Sequence, residues 1–213
     1  DPPAMKAAPC QRVGCVILAA GAGSRLGQPK PLLDLGGRPL VVRAAEAALA
    51  STAWPVVVVA GAHVAGVRAA LATLPVLVAE NPAWAEGMAS SLRAGLATLR
   101  CFSREIDGAV FALCDQPHFN ADVIARLVAR QHASGAGIVA ARYNGRLGAP
   151  ALFTAPHFAA LESLNGDHGA RELITAAHDR GEAEAEDFPE LALDIDTPAD
   201  HARARAALGL TGA

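Results

Sequence analysis

The stretch Leu18-Ala-Ala-Gly-Ala-Gly-Ser-Arg-Leu-Gly-Gln-Pro-Lys30 decides how the rest of the chain is interpreted. It follows an apolar run, Val13–Leu18, that predicts a buried strand, and it precedes Pro39–Ser51, which predicts a helix. A glycine-rich turn between a strand and a helix lets backbone N–H groups approach a ligand closely. The stretch therefore predicts an anion-binding turn at the carboxyl end of the first strand.

The charges in this turn indicate which class of anion it could bind. Gly21, Gly23 and Gly27 free the backbone for a tight path, and Arg25 and Lys30 add fixed positive charge beside it. Bare amides and two cations at the end of a strand suit a triphosphate. The alternative is a structural turn whose two cations are only solvated.

Two well-known phosphate-binding patterns do not match this turn. The dinucleotide fingerprint requires its third glycine one place earlier and an acidic residue at the end of the second strand, where this chain has Ala60-Gly61-Ala62. The Walker pattern fails because no Gly-Lys-Ser/Thr follows the glycines. The remaining pattern, Leu-Ala-Ala-Gly-x-Gly-x-Arg-x-Gly-x-x-Lys, resembles the signature loop of nucleotidyltransferases that pass a nucleotidyl group from an NTP to a phosphorylated acceptor.

The composition excludes several classes of protein. Hydrophobic residues make up 52% of the 213 residues, so the chain can bury a large core, whereas a net charge of −3 argues against nucleic acid as a partner. No apolar run approaches the ~18 residues of a membrane helix. The four cysteines lack the spacing of a zinc site. We expect a soluble, cytoplasmic protein without a membrane association.

The order of elements predicts an α/β fold. Strands alternate with helices, which is typical of a doubly wound, three-layer sandwich with a mostly parallel sheet. Residues 13–209 are assigned to a single domain; residues 1–12 are assigned to a tail, of which Asp1–Ala4 are interpreted as a cloning remnant. Tyr143–Phe153, with the turn Asn144-Gly145, predicts a hairpin. Leu191–Ile195 predicts a late strand before a final helix.

Two aspartates are candidate metal ligands. Asp115 follows the predicted strand Ala109–Leu113, where a carboxylate is poorly explained by packing. Asp196 ends the predicted late strand, with Asp194 on the same face by alternation. Mg²⁺ prefers carboxylates, water and substrate phosphates, so Asp115 and Asp196 could hold it beside a triphosphate. The alternative for either residue is a helix cap or a turn.

Two further polar loops are candidate ligand sites. In the first loop, Asn81, Gly87 and Ser90 could contact a base or ribose, or Ser90 could simply cap a helix. In the second loop, Asp167 could cap a helix and Arg171 could bind a phosphate of the acceptor or be solvated.

Taken together, the motifs resemble the molybdenum cofactor cytidylyltransferases and their guanylyltransferase relatives. The glycine loop, Asp115-Gln-Pro117, Gly148-x-Pro150, Gly166-Asp-x-Gly-Ala-Arg171 and Asp194-Ile-Asp-Thr-Pro198 occur in one order over most of the chain. The resemblance implies a fold of the nucleotide-diphospho-sugar transferase type, Mg²⁺ dependence, and transfer of CMP or GMP to the terminal phosphate of molybdopterin. It also implies that a client molybdoenzyme or its chaperone could be a partner.

The resemblance assigns site residues by motif. Arg25, Lys30 and Asp115 would be catalytic, and Asp115 and Asp196 would bind metal. The expected nucleotide-binding residues are Leu18, Ala19, Ala20, Gly21, Gly23, Ser24, Arg25, Lys30, Asn81, Gly87 and Ser90. The expected acceptor-binding residues are Gly148, Pro150, Asp167 and Arg171. Ala20 resembles the cytidylyl branch, since guanylyl enzymes tend to carry glycine there, and therefore favours CTP over GTP.

Other functions stay open from the sequence. A related nucleotidyltransferase could use a sugar phosphate or polyol phosphate as its acceptor. Outside this class, an NAD(P)-binding oxidoreductase or a catalytically silent nucleotide-binding partner protein are alternatives. The missing acid after the second strand argues against the oxidoreductase, and the presence of both Lys30 and Asp115 argues against a silent protein.

Overall fold

A computed structural model of the chain describes residues 6–23, 26–167 and 169–210. Over these ranges the chain alternates strands and helices as the sequence predicts. The strands are β1 (Val13–Ala19), β2 (Val56–Ala60), β3 (Leu77–Glu80), β4 (Gly108–Leu113), β5 (Ile138–Tyr143), β6 (Arg146–Thr154) and β7 (Ala183–Asp187). The helices are α1 (Leu40–Leu49), α2 (Val64–Ala70), α3 (Met88–Phe102), α4 (Ala121–Ser134), α5 (Phe158–Glu162), α6 (Arg171–Asp179) and α7 (Pro198–Ala207).

The described strands form one seven-stranded sheet in the order β3-β2-β1-β4-β6-β5-β7. Strand β6 is antiparallel to both β4 and β5, and the other neighbouring pairs are parallel. The predicted hairpin is confirmed: β5 and β6 pair through a turn in which Asn144 and Gly145 both have positive φ, at 49° and 68°. The mostly parallel α/β sheet is therefore confirmed as well.

Alternation along the central strands divides the core into two layers. Cys15 and Ile17 of β1 face one side of the sheet, in a cluster that includes buried residues of α1 and α4. Val16 faces the opposite side, in a cluster that includes Leu92 and Leu96 of α3. Helices on both faces of a buried sheet make the expected three-layer sandwich.

The last strand of the sheet was not expected from the sequence. Residues 183–187 read Ala-Glu-Ala-Glu-Asp, a composition that disfavours strands, yet they pair in parallel with β5. As an edge strand, β7 can carry acids: Glu184 and Glu186 pair with Arg130 and Arg126 of α4 at 2.7 and 2.8 Å. Ion pairs with α4 therefore stabilise a strand whose composition alone does not favour β structure.

The predicted late strand at Leu191–Ile195 is wrong. A short 3-10 helix covers Pro189–Ala192, and an irregular segment leads from it into α7. Leu191 and Ile195 are nevertheless fully buried. Their apolar character reflects burial of a loop rather than pairing in the sheet.

No helix in the described ranges is long and apolar enough to cross a membrane.

Candidate active site

A cleft of about 460 Å³ opens at the carboxyl ends of β1 and β4. This is the edge of a parallel sheet at which α/β proteins bind ligands, and the volume lies in the range of small-molecule sites. Its walls come from the glycine turn, the segment that starts α3 and the ends of the two strands. The lining residues are Leu18, Ala19, Ala20, Gly21, Ala22, Gly23, Leu26, Lys30, Pro31, Trp84, Ala85, Gly87, Met88, Ser91, Leu113, Cys114, Asp115, Asp167 and Asp196.

The centre of the cleft is a lysine held between two carboxylates. The Nζ of Lys30 donates to Oδ2 of Asp115 at 2.8 Å and to Oδ1 of Asp196 at 2.5 Å. Along the chain, Asp115 is 85 positions and Asp196 is 166 positions from Lys30. The structure thus brings together the cation and both acids that the sequence singled out.

Adjacent parallel strands explain the pairing of Lys30 with Asp115. Strands β1 and β4 are paired in register up to Leu18 and Leu113, so the segments that follow them leave the sheet side by side. Lys30 begins a single 3-10 turn at residues 30–32, after Pro29. The pairing of β1 with β4 therefore brings the turn that carries Lys30 next to the segment that carries Asp115.

The glycine at position 23 is required for the path of the turn. Its φ is +66°, and a Cβ there would lie 2.6 Å from the backbone N of Lys30. The turn is also tied to α2, because the ring Nε2 of His63 lies 3.0 Å from the carbonyl oxygen of Ala22 and can donate to it. Predicted cleft residues Ser24 and Arg25 lie outside the described residues.

Asp196 reaches the cleft by a backbone contact rather than as part of a strand. The N–H of Ile195 donates to the carbonyl oxygen of Asp115 at 3.0 Å, which places the segments 194–196 and 115 side by side. Thr197 and Asp200 then form a capping box at the start of α7 that fixes the direction of the chain. The capping residue is thus Thr197, while the side chain of Asp196 faces Lys30.

The neighbouring aspartates keep Lys30 protonated and make the net charge of the site negative. Burial alone lowers the pKa of Lys30, but the charges and hydrogen bonds of Asp115 and Asp196 outweigh it and raise that pKa. Asp194 lies in the same group: burial, with the charges of Asp115 and Asp196, raises its pKa to about 6. Three aspartates around one lysine leave an excess of negative charge that suits a divalent cation.

The donor set fits a hard divalent ion that shares its coordination with phosphates. In the described part of the chain, no three His, Cys, Asp or Glu side chains converge as a ready-made metal cage. Asp115, however, has a buried Oδ1 with no hydrogen-bond partner, and Asp196 lies on the other side of the lysine. One or two carboxylates completed by water and substrate phosphates is the usual arrangement for Mg²⁺.

Two predicted nucleotide-binding side chains are directed elsewhere. Asn81 and Ser90 are 3% and 4% exposed, and neither lines the cleft. The Nδ2 of Asn81 donates to the hydroxyls of Ser90 and Ser91 at 2.8 and 3.0 Å, and Ser90 donates to the carbonyl oxygen of Gly87 at 2.8 Å. These bonds satisfy both buried groups, so the two side chains anchor the start of α3, and Ser91 lines the cleft instead.

Gly87 and Asp167 meet at the mouth of the cleft. Gly87 has φ +107°, and a Cβ there would lie 2.4 Å from Oδ1 of Asp167. The N–H of Ala89 donates to the carbonyl oxygen of Gly166 at 3.1 Å, which holds the second polar loop against α3. Asp167, expected on the acceptor side, therefore lies in the same cleft as the glycine turn.

Two other expected acceptor residues, Gly148 and Pro150, do not line the cleft. Gly148 and Pro150 belong to β6, next to a network that the sequence did not reveal. In that network, Nε2 of Gln116 donates to Oη of Tyr143 and to the carbonyl oxygen of Ala149, each at 3.2 Å, and Tyr143 donates to the same carbonyl at 2.9 Å. The network ties the Asp115 segment to the hairpin.

Arg171 is exposed at the first residue of α6 and does not line the cleft. It lies close enough to Tyr143 for its charge to counteract the burial that raises the pKa of that phenol. The charge of Arg171 thus acts on Tyr143, but its side chain is not among those that line the cleft.

Comparison with known proteins identifies a family that matches most of the chain. The family of MobA-like NTP transferase domains matches residues 15–182. Nicotine blue oxidoreductase of Paenarthrobacter nicotinovorans is 38% identical over 78% of this chain and 82% of its own length. Purine catabolism protein PucB of Bacillus subtilis is 31% identical over 91% of this chain and 96% of its own.

Solved structures share the fold over nearly the whole chain. Rv0371c of Mycobacterium tuberculosis, solved in complex with manganese, is 26% identical with a TM-score of 0.72, covering 91% of this chain and 98% of its own. A nucleotidyl transferase of Methanothermobacter has a TM-score of 0.78 at 23% identity, covering 95% of this chain and 100% of its own, which shows a common fold. The same fold thus occurs in a protein that binds a divalent metal and in a nucleotidyl transferase.

Proposed function

The chain belongs to the family of MobA-like NTP transferase domains, and from that premise we propose that it transfers CMP from CTP to the terminal phosphate of molybdopterin and releases pyrophosphate. One observation carries the proposal. The ammonium of Lys30 lies 2.8 Å from the carboxylate of Asp115 in a cleft lined by a glycine-rich turn. That arrangement supplies cation, metal ligand and bare amides within reach of one triphosphate.

The chemistry follows from the charges of the reactants. An oxygen of the acceptor phosphate attacks the α-phosphorus of the nucleotide, and the bond from that phosphorus to the oxygen bridging to the β-phosphate breaks. Pyrophosphate leaves with the electron pair. Because the attacking phosphate is already anionic, no strong general base is needed, and neutralising repulsion between two anions is the main task.

The described residues divide that task. Lys30 would neutralise charge that develops on the leaving pyrophosphate, and the N–H groups around Gly21 and Gly23 would hold the phosphates in place. Asp115 and Asp196 would hold Mg²⁺, which when bound polarises phosphoryl oxygens. The manganese complex of the Mycobacterium tuberculosis relative supports a divalent metal in this fold.

We expect CTP with Mg²⁺ to bind more tightly than GTP with Mg²⁺. Ala20 lines the cleft and is 7% exposed, so its methyl group occupies space that a glycine would leave open to a larger purine. An extra methyl group in an apolar pocket typically discriminates by about 10-fold or more. Isothermal titration calorimetry with each nucleotide gives the order of affinity, and Ala20→Gly should reduce the difference. Tighter binding of GTP to the unchanged protein would refute the assignment of base preference.

The acceptor is tested by a panel of phosphorylated compounds. Pyrophosphate release with CTP and Mg²⁺ should require molybdopterin and should be absent with a sugar 1-phosphate or methylerythritol phosphate. Release with one of the latter compounds alone would assign the protein to another nucleotidyltransferase activity of the same fold. Omitting Mg²⁺ should abolish release in every case, and Mn²⁺ should restore it.

The name of the Paenarthrobacter relative favours testing an oxidoreductase as the second candidate. In this chain β2 runs into Gly61, so the position that would hold a ribose-binding acid in a dinucleotide fold has none. We therefore expect NADPH to bind at least 10-fold more weakly than CTP with Mg²⁺, because only the latter uses both the turn and the carboxylates. Parallel titrations followed by NADPH fluorescence and calorimetry give the comparison; tighter binding of NADPH would favour the redox activity.

A further inference from the structure

Lys30 is the one cation among the described residues that line the main cleft. Its Nζ lies 2.8 Å from Oδ2 of Asp115 and 2.5 Å from Oδ1 of Asp196. The side chains of Lys30 and Asp115 are only 19% and 17% exposed, so their contact is largely shielded from solvent. The ammonium therefore occupies the position between two carboxylates that suits a divalent ion.

Asp115 offers no carboxylate oxygen that is both accessible and unoccupied. Its Oδ1 is buried and accepts no hydrogen bond from the part of the chain that the structure describes, which leaves it out of reach of a hydrated ion. Its Oδ2 is the oxygen that accepts from Lys30. A cation that enters from solvent therefore reaches this carboxylate only after the ammonium has left Oδ2.

The ammonium leaves the carboxylates readily only if it gains another anionic partner, because separating a partly buried ion pair leaves charges uncompensated. The backbone of Lys30 adjoins the glycine turn. A Cβ added at Gly23 would lie 2.6 Å from the backbone N of Lys30 and 2.9 Å from its Cβ. The lysine side chain thus runs from the turn to the acids, and an anion bound at the turn would lie beside it.

We infer that Lys30 closes the carboxylate site of the free protein as a built-in cation, and that a polyphosphate at the glycine turn opens the site by drawing the ammonium away. Polyphosphate and divalent ion then bind cooperatively, because each removes the competitor of the other. Such coupling is reciprocal by thermodynamic necessity. The use of Asp115 and Asp196 as metal ligands rests on the proposed function, whereas the occupation of their oxygens by Lys30 does not.

The first test measures binding of Mn²⁺ to the nucleotide-free protein from the electron paramagnetic resonance signal of unbound Mn²⁺. Lys30→Met should bind Mn²⁺ about 10-fold or more tightly than the wild type, because no ammonium has to be displaced from the carboxylates. Adding Asp115→Asn to Lys30→Met should remove this gain. Lys6→Met, which removes the same charge from an exposed position outside the cleft, is the matched control and should bind Mn²⁺ as the wild type does.

The second test measures binding of tripolyphosphate by calorimetry in the presence of a chelator, so that no divalent metal takes part. Lys30→Met should bind about 10-fold more weakly than the wild type, because a charged donor is lost. Asp115→Asn should bind about 5-fold or more tightly than the wild type, because a neutral amide holds the ammonium less firmly than a carboxylate. Asp179→Asn, at the exposed end of α6, is the matched control and should leave the affinity unchanged.

Both tests are repeated at about 1 M salt, where the Debye length is about 3 Å. A direct exchange of partners should preserve the differences in affinity, whereas differences that vanish would come from long-range charge and would overturn the inference. Three other results would overturn it: equal Mn²⁺ affinity of the wild type and Lys30→Met, a gain that persists when Asp115→Asn is added, or no gain of tripolyphosphate affinity in Asp115→Asn. Circular dichroism of each variant establishes that it is folded.

Failure of this inference can be distinguished from failure of the proposed function, because neither test includes a nucleotide, an acceptor or turnover. Both gains of affinity in a protein that releases no pyrophosphate would support the role of Lys30 while refuting the proposed function. Equal Mn²⁺ affinity of the wild type and Lys30→Met, in a protein that forms the cytidylylated product, would refute the role of Lys30 as a competing cation and leave the proposed function standing.

Discussion

Replacing Asp115 by asparagine is expected to lower turnover about 10²–10³-fold, because one preorganised electrostatic contact to the transition state is lost. The change keeps the size of the side chain and can keep a hydrogen bond with Lys30, so the fold should persist. In the wild type, Oδ2 of Asp115 is bonded to Lys30 and Oδ1 has no hydrogen-bond partner, and the substitution replaces one of these two oxygens by an amide nitrogen. Initial rates of pyrophosphate release at saturating CTP and Mg²⁺ measure the loss.

The control for this variant is Asp179→Asn at the exposed end of α6. It removes the same charge far from the cleft and should leave the rate unchanged. If Asp115→Asn released pyrophosphate at the wild-type rate, the carboxylate would have no part in the chemistry. Thermal unfolding of Asp115→Asn is measured as well. If the variant lost both its activity and its cooperative thermal transition, the loss of activity would come from unfolding.

Replacing Lys30 by methionine should lower turnover by a similar factor, about 10²–10³-fold, for a different reason. Methionine keeps most of the stem but removes the cation that would neutralise the leaving pyrophosphate. It also leaves Asp115 and Asp196 without their shared partner, so the two carboxylates repel each other more strongly. Mg²⁺ should therefore raise the melting temperature of Lys30→Met at least as much as that of the wild type.

Lys6→Met is the matched control, since Lys6 is exposed, lies beside Gly135 at the end of α4 and does not line the cleft. Its turnover should equal that of the wild type. Lys30→Arg should recover only part of the lost activity, because the wider guanidinium does not fit between two carboxylates held 2.5 and 2.8 Å from one nitrogen. Full activity of Lys30→Met would refute the role given to this residue.

The position of Lys30 and Asp115 at one edge of the sheet could be predicted from the sequence, whereas their direct contact also depends on the pairing of β1 with β4. A glycine-rich turn after a buried strand and an acid after another buried strand both lie at the carboxyl edge of a parallel sheet. The proximity of Asp196 was also predicted, but from a strand that does not exist. The hydrogen bond from the N–H of Ile195 to the carbonyl oxygen of Asp115 brings Asp196 close to Lys30. No sequence pattern predicts such a bond.

Features that depend on long-range packing could not be predicted. The strand β7 has an unfavourable composition and is stabilised by arginines of α4 that precede it by more than fifty residues. Asn81 can be buried because its bonds to Ser90 and Ser91, which are nine and ten positions away, satisfy its amide group.

The most direct test of the central claim is the mass of the product formed from CTP, Mg²⁺ and molybdopterin. The account predicts a product heavier than molybdopterin by one cytidylyl group, formed in equal amounts with pyrophosphate and about 10²–10³-fold more slowly with Asp115→Asn or Lys30→Met. Unchanged molybdopterin in the wild-type reaction, or the same product at the same rate from both variants, would contradict it.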